Sequence, residues 1–113
     1  MTELKEPAAT GATAKSELPP AFPRDFATVS IDNDRVRMWD YTWLVNHPVP
    51  MHVHARDSLE IYVAAGTLRR KTPNGKEETQ TVAREDLRFV PMGRVDSEEA
   101  IGGSPRAIAI ELK

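Results

Sequence analysis

The sequence has no cysteine among its 113 residues. That excludes disulfides, thiolate zinc sites, iron–sulfur clusters and cysteine nucleophiles. Histidine is scarce too, at three residues, so metal chemistry falls to those histidines and to carboxylates. An excess of charge is also missing. The 15 Lys+Arg and 17 Asp+Glu leave a net charge of −2 at pH 7. A general nucleic-acid binder needs a basic excess, and an anionic membrane surface attracts one, so neither partner is expected. Long apolar runs are lacking: the longest unbroken one is Ile61–Ala65, far below the ~20 residues of a membrane helix. The N-terminus has acidic residues and no apolar h-region, so no secretory leader is expected. No G-x-x-x-x-G-K-[ST] loop occurs, and no nucleotide cofactor is expected. The expectation is a single soluble, cytoplasmic domain.

What is present divides at about residue 25. Residues 1–25 are rich in Ala, Thr, Pro and charge, and nearly empty of branched apolar side chains. Such a stretch buries too little apolar surface to offset its ordering entropy. It reads as a flexible tail, or as an extended arm swapped onto a neighbouring subunit with Leu18, Phe22 and Phe26 as spaced anchors. From Phe26 to Lys113 the pattern is one of short β-prone runs with turn punctuation. Asp32-Asn33-Asp34, Asn46-His47-Pro48, Pro73-Asn74-Gly75, Pro91-Met92-Gly93 and Gly102-Gly103-Ser104-Pro105 mark the turns. Pro73-Asn74-Gly75 is the clearest hairpin signal. No segment keeps a 3.6-residue apolar period over a dozen positions. Eight to ten short strands predict an all-β sandwich or barrel. Trp39, Tyr41 and Trp43 share one parity and predict core or dimer-interface packing.

His52 and His54 are the informative pair. At i and i+2 of a strand they share a face, about 7 Å apart. Two imidazoles so placed can converge on one metal. His52-Val53-His54, followed after four residues by Leu59, after three more by Val63 and after two more by Gly66, resembles the first cupin motif. The run from Arg84 through Asp86, Pro91 and Gly93 to Asp96 resembles the second. The likeness spans roughly Arg35 to Leu112 and is to small single-domain bacterial cupins. It implies a jelly-roll β-barrel, a homodimer, and a barrel mouth where three His and one Glu commonly hold a divalent metal.

The sequence departs from that pattern in four places. The resemblance puts the Glu ligand at Leu59 and the third histidine at Asp96. It puts a glycine at Glu85 and an asparagine at Ala100. Leu59, Ile61 and Val63 share a parity, which predicts that they line the pocket while Glu60 and Tyr62 face outward. At roughly 1.5–3 kcal/mol for each buried apolar side chain, this register is favoured. A loop adjustment after His54 would instead bring Glu60 inward. His52, His54 and Asp96 are thus the expected metal ligands, with Glu60 and Glu99 as assisting carboxylates. Fe, Mn, Ni or Zn suits such a set. The aspartate's short reach counts against it. His47, before Pro48, reads as a surface residue. The expected function is a small cupin with a reduced metal site, binding a small molecule in the barrel mouth. The alternative is a metal-dependent dioxygenase or isomerase acting on a small organic acid. Fold alone does not decide between them.

Overall fold

The computed structural model describes residues 17–113 and is built of strands. These are β1 (Ala27–Asp32), β2 (Val36–Thr42), β3 (Val49–Val53), β4 (Ser58–Lys71), β5 (Glu77–Val82), β6 (Leu87–Val90) and β7 (Val95–Leu112). Every pairing between them is antiparallel. Seven strands stand where eight to ten were expected, because two of them are long. β4 runs through Gly66, which reads as a strand end, and β7 runs through Gly102-Gly103.

The long strands organise the barrel. β4 and β7 pair along most of their length, with register shifts between Tyr62 and Gly66 and at Thr67/Leu68. The first half of β4 lies with β6 and the end of β7, and β2 and β1 follow beyond β7. The second half of β4 lies with β5 and the start of β7, with β3 beyond. Gly66 makes the shift sterically feasible. A Cβ there would sit 2.3 Å from Pro105 Cγ and 2.8 Å from the Gly102 carbonyl oxygen. The Pro73-Asn74-Gly75 hairpin forms as expected, with Gly75 at φ 87° and Lys71 opposite Glu77.

Trp39, Tyr41 and Trp43 all point into the barrel and are buried. The rings form a chain: Tyr41 meets Trp43 edge-on at 4.7 Å, and Trp43 stacks on Tyr62 at 5.9 Å. Residues 1–16 of the expected tail or arm lie outside the described residues. The described part of it, residues 17–25, lies on the barrel of this chain. Val53 N–H donates to Pro19 O and Ala21 N–H donates to Val53 O, both at 3.0 Å, extending the sheet beside β3. Ala21 and Phe22 are buried, and Phe22 stacks on Trp39 at 5.0 Å.

One expectation is reversed. Leu59 is 42% exposed, while Glu60 and Tyr62 are 3% and 1% exposed. Ile61 and Val63 share Leu59's outward parity and are only half-buried. Leu59, Ile61 and Val63 therefore line no interior pocket. Apolar alternation does identify one face of β4, but that face is the outer one. The inward carboxylate is made tolerable by bonding: Glu60 accepts from Tyr41 Oη at 2.6 Å and from Tyr62 Oη at 3.1 Å.

Candidate metal centre

The two motifs meet because β3 pairs with the start of β7. His52 and Asp96 are direct cross-strand partners, so their Cβ atoms are only about 5 Å apart. This answers the aspartate's short reach. His54 follows β3 and is fixed by backbone: its N–H donates to Arg94 O at 2.9 Å, and Gly93 N–H donates to its carbonyl at 2.7 Å. Gly93 takes φ 90°, the left-handed turn conformation this stitch requires. Glu98, two residues beyond Asp96, shares its inward face.

His52, His54, Asp96 and Glu98 are all buried, and one ligand atom from each lies within 4.8 Å of the others. His52 Nδ1 is 2.8 Å from Pro50 O. A carbonyl only accepts, so Nδ1 carries the proton and the Nε2 lone pair faces the cluster. Nε2 stands 3.3 Å from Asp96 Oδ1 and 3.8 Å from Glu98 Oε2. Yet His52 Nε2 and Asp96 Oδ1 have no aligned hydrogen bond, and both are buried. With Nε2 unprotonated two acceptors face each other there, a conflict that either a proton on Nε2 or a shared cation relieves. Cis ligands bound at about 2.1 Å stand about 3.0–3.4 Å apart, so the 3.3 Å between His52 Nε2 and Asp96 Oδ1 fits a divalent ion, while Glu98 Oε2 at 3.8 Å stands just beyond that range.

The surroundings are strongly charged. Glu98 Oε1 accepts from Trp43 Nε1 at 2.9 Å and from Arg24 Nη1 at 3.3 Å. Arg70 Nε lies 3.8 Å from Glu98 Oε2. Burial alone would raise the Glu98 pKa, but Arg24, Arg70 and His52 outweigh it and hold the carboxyl well below its usual range. Burial likewise opposes charge on His52, but Asp96 and Glu98 outweigh it and its pKa is raised. Burial pushes His54 down to about 4, against the pull of Glu98, so it is neutral and ready to ligate at pH 7. Arg94 Nε donates to Asp96 Oδ2 at 3.0 Å, leaving Oδ1 for the cluster. Arg24 itself sits over Tyr41 at 4.6 Å, Phe22 at 4.8 Å and Trp43 at 5.4 Å.

His52, His54 and Asp96 are thus brought together as expected. Glu60 is inside the barrel but belongs to the tyrosine network rather than to this group. Glu99 is corrected: it points outward, is half-exposed, and pairs with Arg69 at 2.8 Å. The carboxylate that reaches the site is Glu98. The parity of Asp96 already indicates this, since i+2 shares its face and i+3 does not. Arg24 and Arg70 carry no such local signal. His47 lies apart, edge-on to Phe26 at 5.2 Å, in a 230 Å³ cavity it shares with Arg24. A second cavity of 260 Å³, lined by Arg70, Thr72, Lys76, Glu77, Glu78, Arg94 and Asp96, opens onto the cluster.

No family model matches the sequence, and no curated protein matches it. Solved structures do. A cupin domain from Bordetella pertussis superposes with a TM-score of 0.71 at 24% identity, covering 86% of this chain and 97% of its own. An RmlC-like cupin family protein with a double-stranded β-helix fold, from Methanocaldococcus jannaschii, gives 0.62 at 12% identity, covering 80% and 85%. A cupin-2 domain containing protein from Shewanella frigidimarina gives 0.59 at 17% identity, covering 81% and 85%. With no helix long and apolar enough to cross a membrane among the described residues, and with this seven-stranded jelly roll, the chain has the fold of a small cupin domain.

Proposed function

We propose that this cupin holds a divalent cation on His52, His54 and Asp96, with Glu98 as the fourth donor, and binds a small organic anion beside it. The observation that carries this reading is the buried pair of unpartnered acceptors, His52 Nε2 and Asp96 Oδ1, facing each other at 3.3 Å. A cation or a proton must lie between them. Two imidazoles with carboxylates suit Fe, Mn, Ni or Zn. The ion would supply a Lewis-acidic point for an incoming oxygen ligand.

The anion preference rests on charge. Arg24, Arg70 and Arg94 already surround the carboxylates of Glu98 and Asp96. Adding a divalent ion leaves the centre with surplus positive charge, which an anionic ligand offsets. The 260 Å³ cavity at Asp96 offers the room; Arg70, Arg94 and Lys76 line it together with Glu77 and Glu78. Because that cavity reaches a candidate ligand, a second reading stands beside the first: a metal-dependent dioxygenase or isomerase acting on a small organic acid.

Thermal shift of metal-loaded protein against small carboxylic acids and their neutral amides tests the anion claim. Stabilisation scales with occupancy. Acids should raise the melting temperature only when metal is present, and amides should not. Equal shifts with and without metal, or none with any acid, would overturn it.

A further inference from the structure

Residues 19–25 lie on the barrel as a strap rather than as a strand of the sheet. Pro19, Pro20 and Pro23 lack a backbone N–H, so the segment cannot build a continuous ladder beside β3. Among the described residues its backbone is held at Val53 alone, through the Ala21 N–H and the Pro19 carbonyl. The strap ends at Phe26, whose φ is 64° and whose carbonyl accepts from Thr42 N–H at 3.1 Å, just ahead of β1. A segment with so few backbone bonds opens more readily than the strands beneath it. Arg24 carries a positive charge from this strap into the barrel. Its side chain is 11% exposed, lies over the rings of Phe22, Tyr41 and Trp43, and donates to Glu98 Oε1.

We propose that Arg24 stands in for the cation at Glu98, so that docking of the strap and binding of a divalent ion oppose each other. This rests on the reading of His52, His54, Asp96 and Glu98 as a cation site. Charge balance is the first argument. Arg24, Arg70 and Arg94 are three guanidinium groups beside three carboxylates, Glu60, Asp96 and Glu98. The site is therefore balanced before any ion enters, and a divalent ion overshoots by two charges. Position is the second. Burial opposes charge on Glu98, and Arg24 is the strongest of the groups that offset it, ahead of Arg70 and His52. Once an ion takes over that task, the guanidinium is left one carboxylate away from a like charge, in surroundings where repulsion is weakly screened. Freedom to move is the third. Arg70 is fixed in β4, buried, and donates to Tyr62 Oη and Gln80 Oε1. Arg94 is 30% exposed, so water already screens its charge, and its carbonyl holds His54. Arg24 is the one that can leave together with its backbone. Its departure also widens the 230 Å³ cavity, because Arg24 and Asp25 are part of the wall. Such coupling is reciprocal: an ion that loosens the strap is bound more tightly once the strap is loose.

Hydrogen exchange of the full chain by NMR, with and without Zn²⁺, tests this. The Ala21 amide reports strap docking through its bond to Val53 O. It should exchange at least about fivefold faster with saturating Zn²⁺, the low end of a typical coupling. The His54 amide, which donates to Arg94 O, should exchange more slowly. Calorimetric titration of Zn²⁺ reads the reciprocal effect. Arg24→Gln removes the charge and should bind Zn²⁺ at least about fivefold more tightly. Arg24→Lys keeps the charge and should bind as the wild type does. If Arg24 merely orients Glu98, Arg24→Gln binds more weakly instead. Unchanged or slower exchange at Ala21 with Zn²⁺ bound, or no gain in affinity in Arg24→Gln, overturns the proposal and leaves the cation site standing. No Zn²⁺ uptake by the wild type overturns both. Should Arg24→Gln fail to fold, Ala21 exchange in the wild type decides.

Discussion

Tyr41 donates a 2.6 Å hydrogen bond to Glu60, and both side chains lie inside the barrel, 1% and 3% exposed. This bond is what lets a carboxylate occupy the inward parity of β4. Tyr41→Phe removes a donor and leaves part of a buried charge unsatisfied. The expected cost is about 1–3 kcal/mol, read as a lower urea midpoint with an unchanged slope. An unshifted midpoint would show that Glu60 is satisfied some other way.

Tyr41 and Tyr62 are the only two tyrosines in the chain. Burial, reinforced by Glu60, pushes Tyr62 up to about 12, and raises Tyr41 well above 10. In the unfolded chain both ionise near pH 10. The folded state therefore keeps its phenolic protons longer. The associated stability is complete below about pH 10 and is lost as pH rises through the folded values. Tyrosinate absorbance near 295 nm should stay flat through pH 10 and appear together with alkaline unfolding. A tyrosinate signal at pH 10 in folded protein would contradict the buried network.

Glu85 has φ 78°, a left-handed conformation, and its N–H donates to Tyr62 O at 2.7 Å. The resemblance to the second cupin motif puts a glycine at this position, and the left-handed backbone is a conformation that favours glycine over glutamate. Glu85→Gly should relieve about 1 kcal/mol of strain and raise the thermal midpoint by several degrees. A lowered midpoint would mean that the glutamate side chain makes a compensating contact.

Gly66 behaves in the opposite sense. A Cβ at this position meets the Pro105 ring and the Gly102 carbonyl at less than 3.0 Å. Gly66→Ala must force β4 and β7 apart where their register shifts, and several kcal/mol of destabilisation is expected. Denaturation of the variant at wild-type stability would show that the crossing is looser than the geometry implies.

The β-barrel and the Pro73–Gly75 hairpin are legible from local turn chemistry, the shared face of His52 and His54 from strand parity, and Asp96 beside them from the resemblance to the second cupin motif. The facing of β4 is misread for a physical reason. Apolar parity reports which residues avoid water, and here a five-strand outer surface competes with the interior for that role. Leu59, Ile61 and Val63 went to the outside, and Glu60 was retained inside by tyrosines from β2 and β4 that local periodicity does not reveal. Glu98 in place of Glu99 is a matter of parity and was readable from Asp96. Arg24 and Arg70 reach Glu98 across 74 and 28 positions of chain, and only the tertiary fold brings such pairs together.

The proposed cation lies among the buried acceptors of β3 and β7. Isothermal titration of Mn²⁺ and Zn²⁺ into tag-free protein tests it most directly, with wild type, His52→Ala, Glu98→Gln and Glu99→Gln compared. One ion per chain is expected in wild type and in Glu99→Gln, with at least tenfold weaker binding in His52→Ala and Glu98→Gln. No uptake by the wild type, or equal affinity in His52→Ala, would contradict the account.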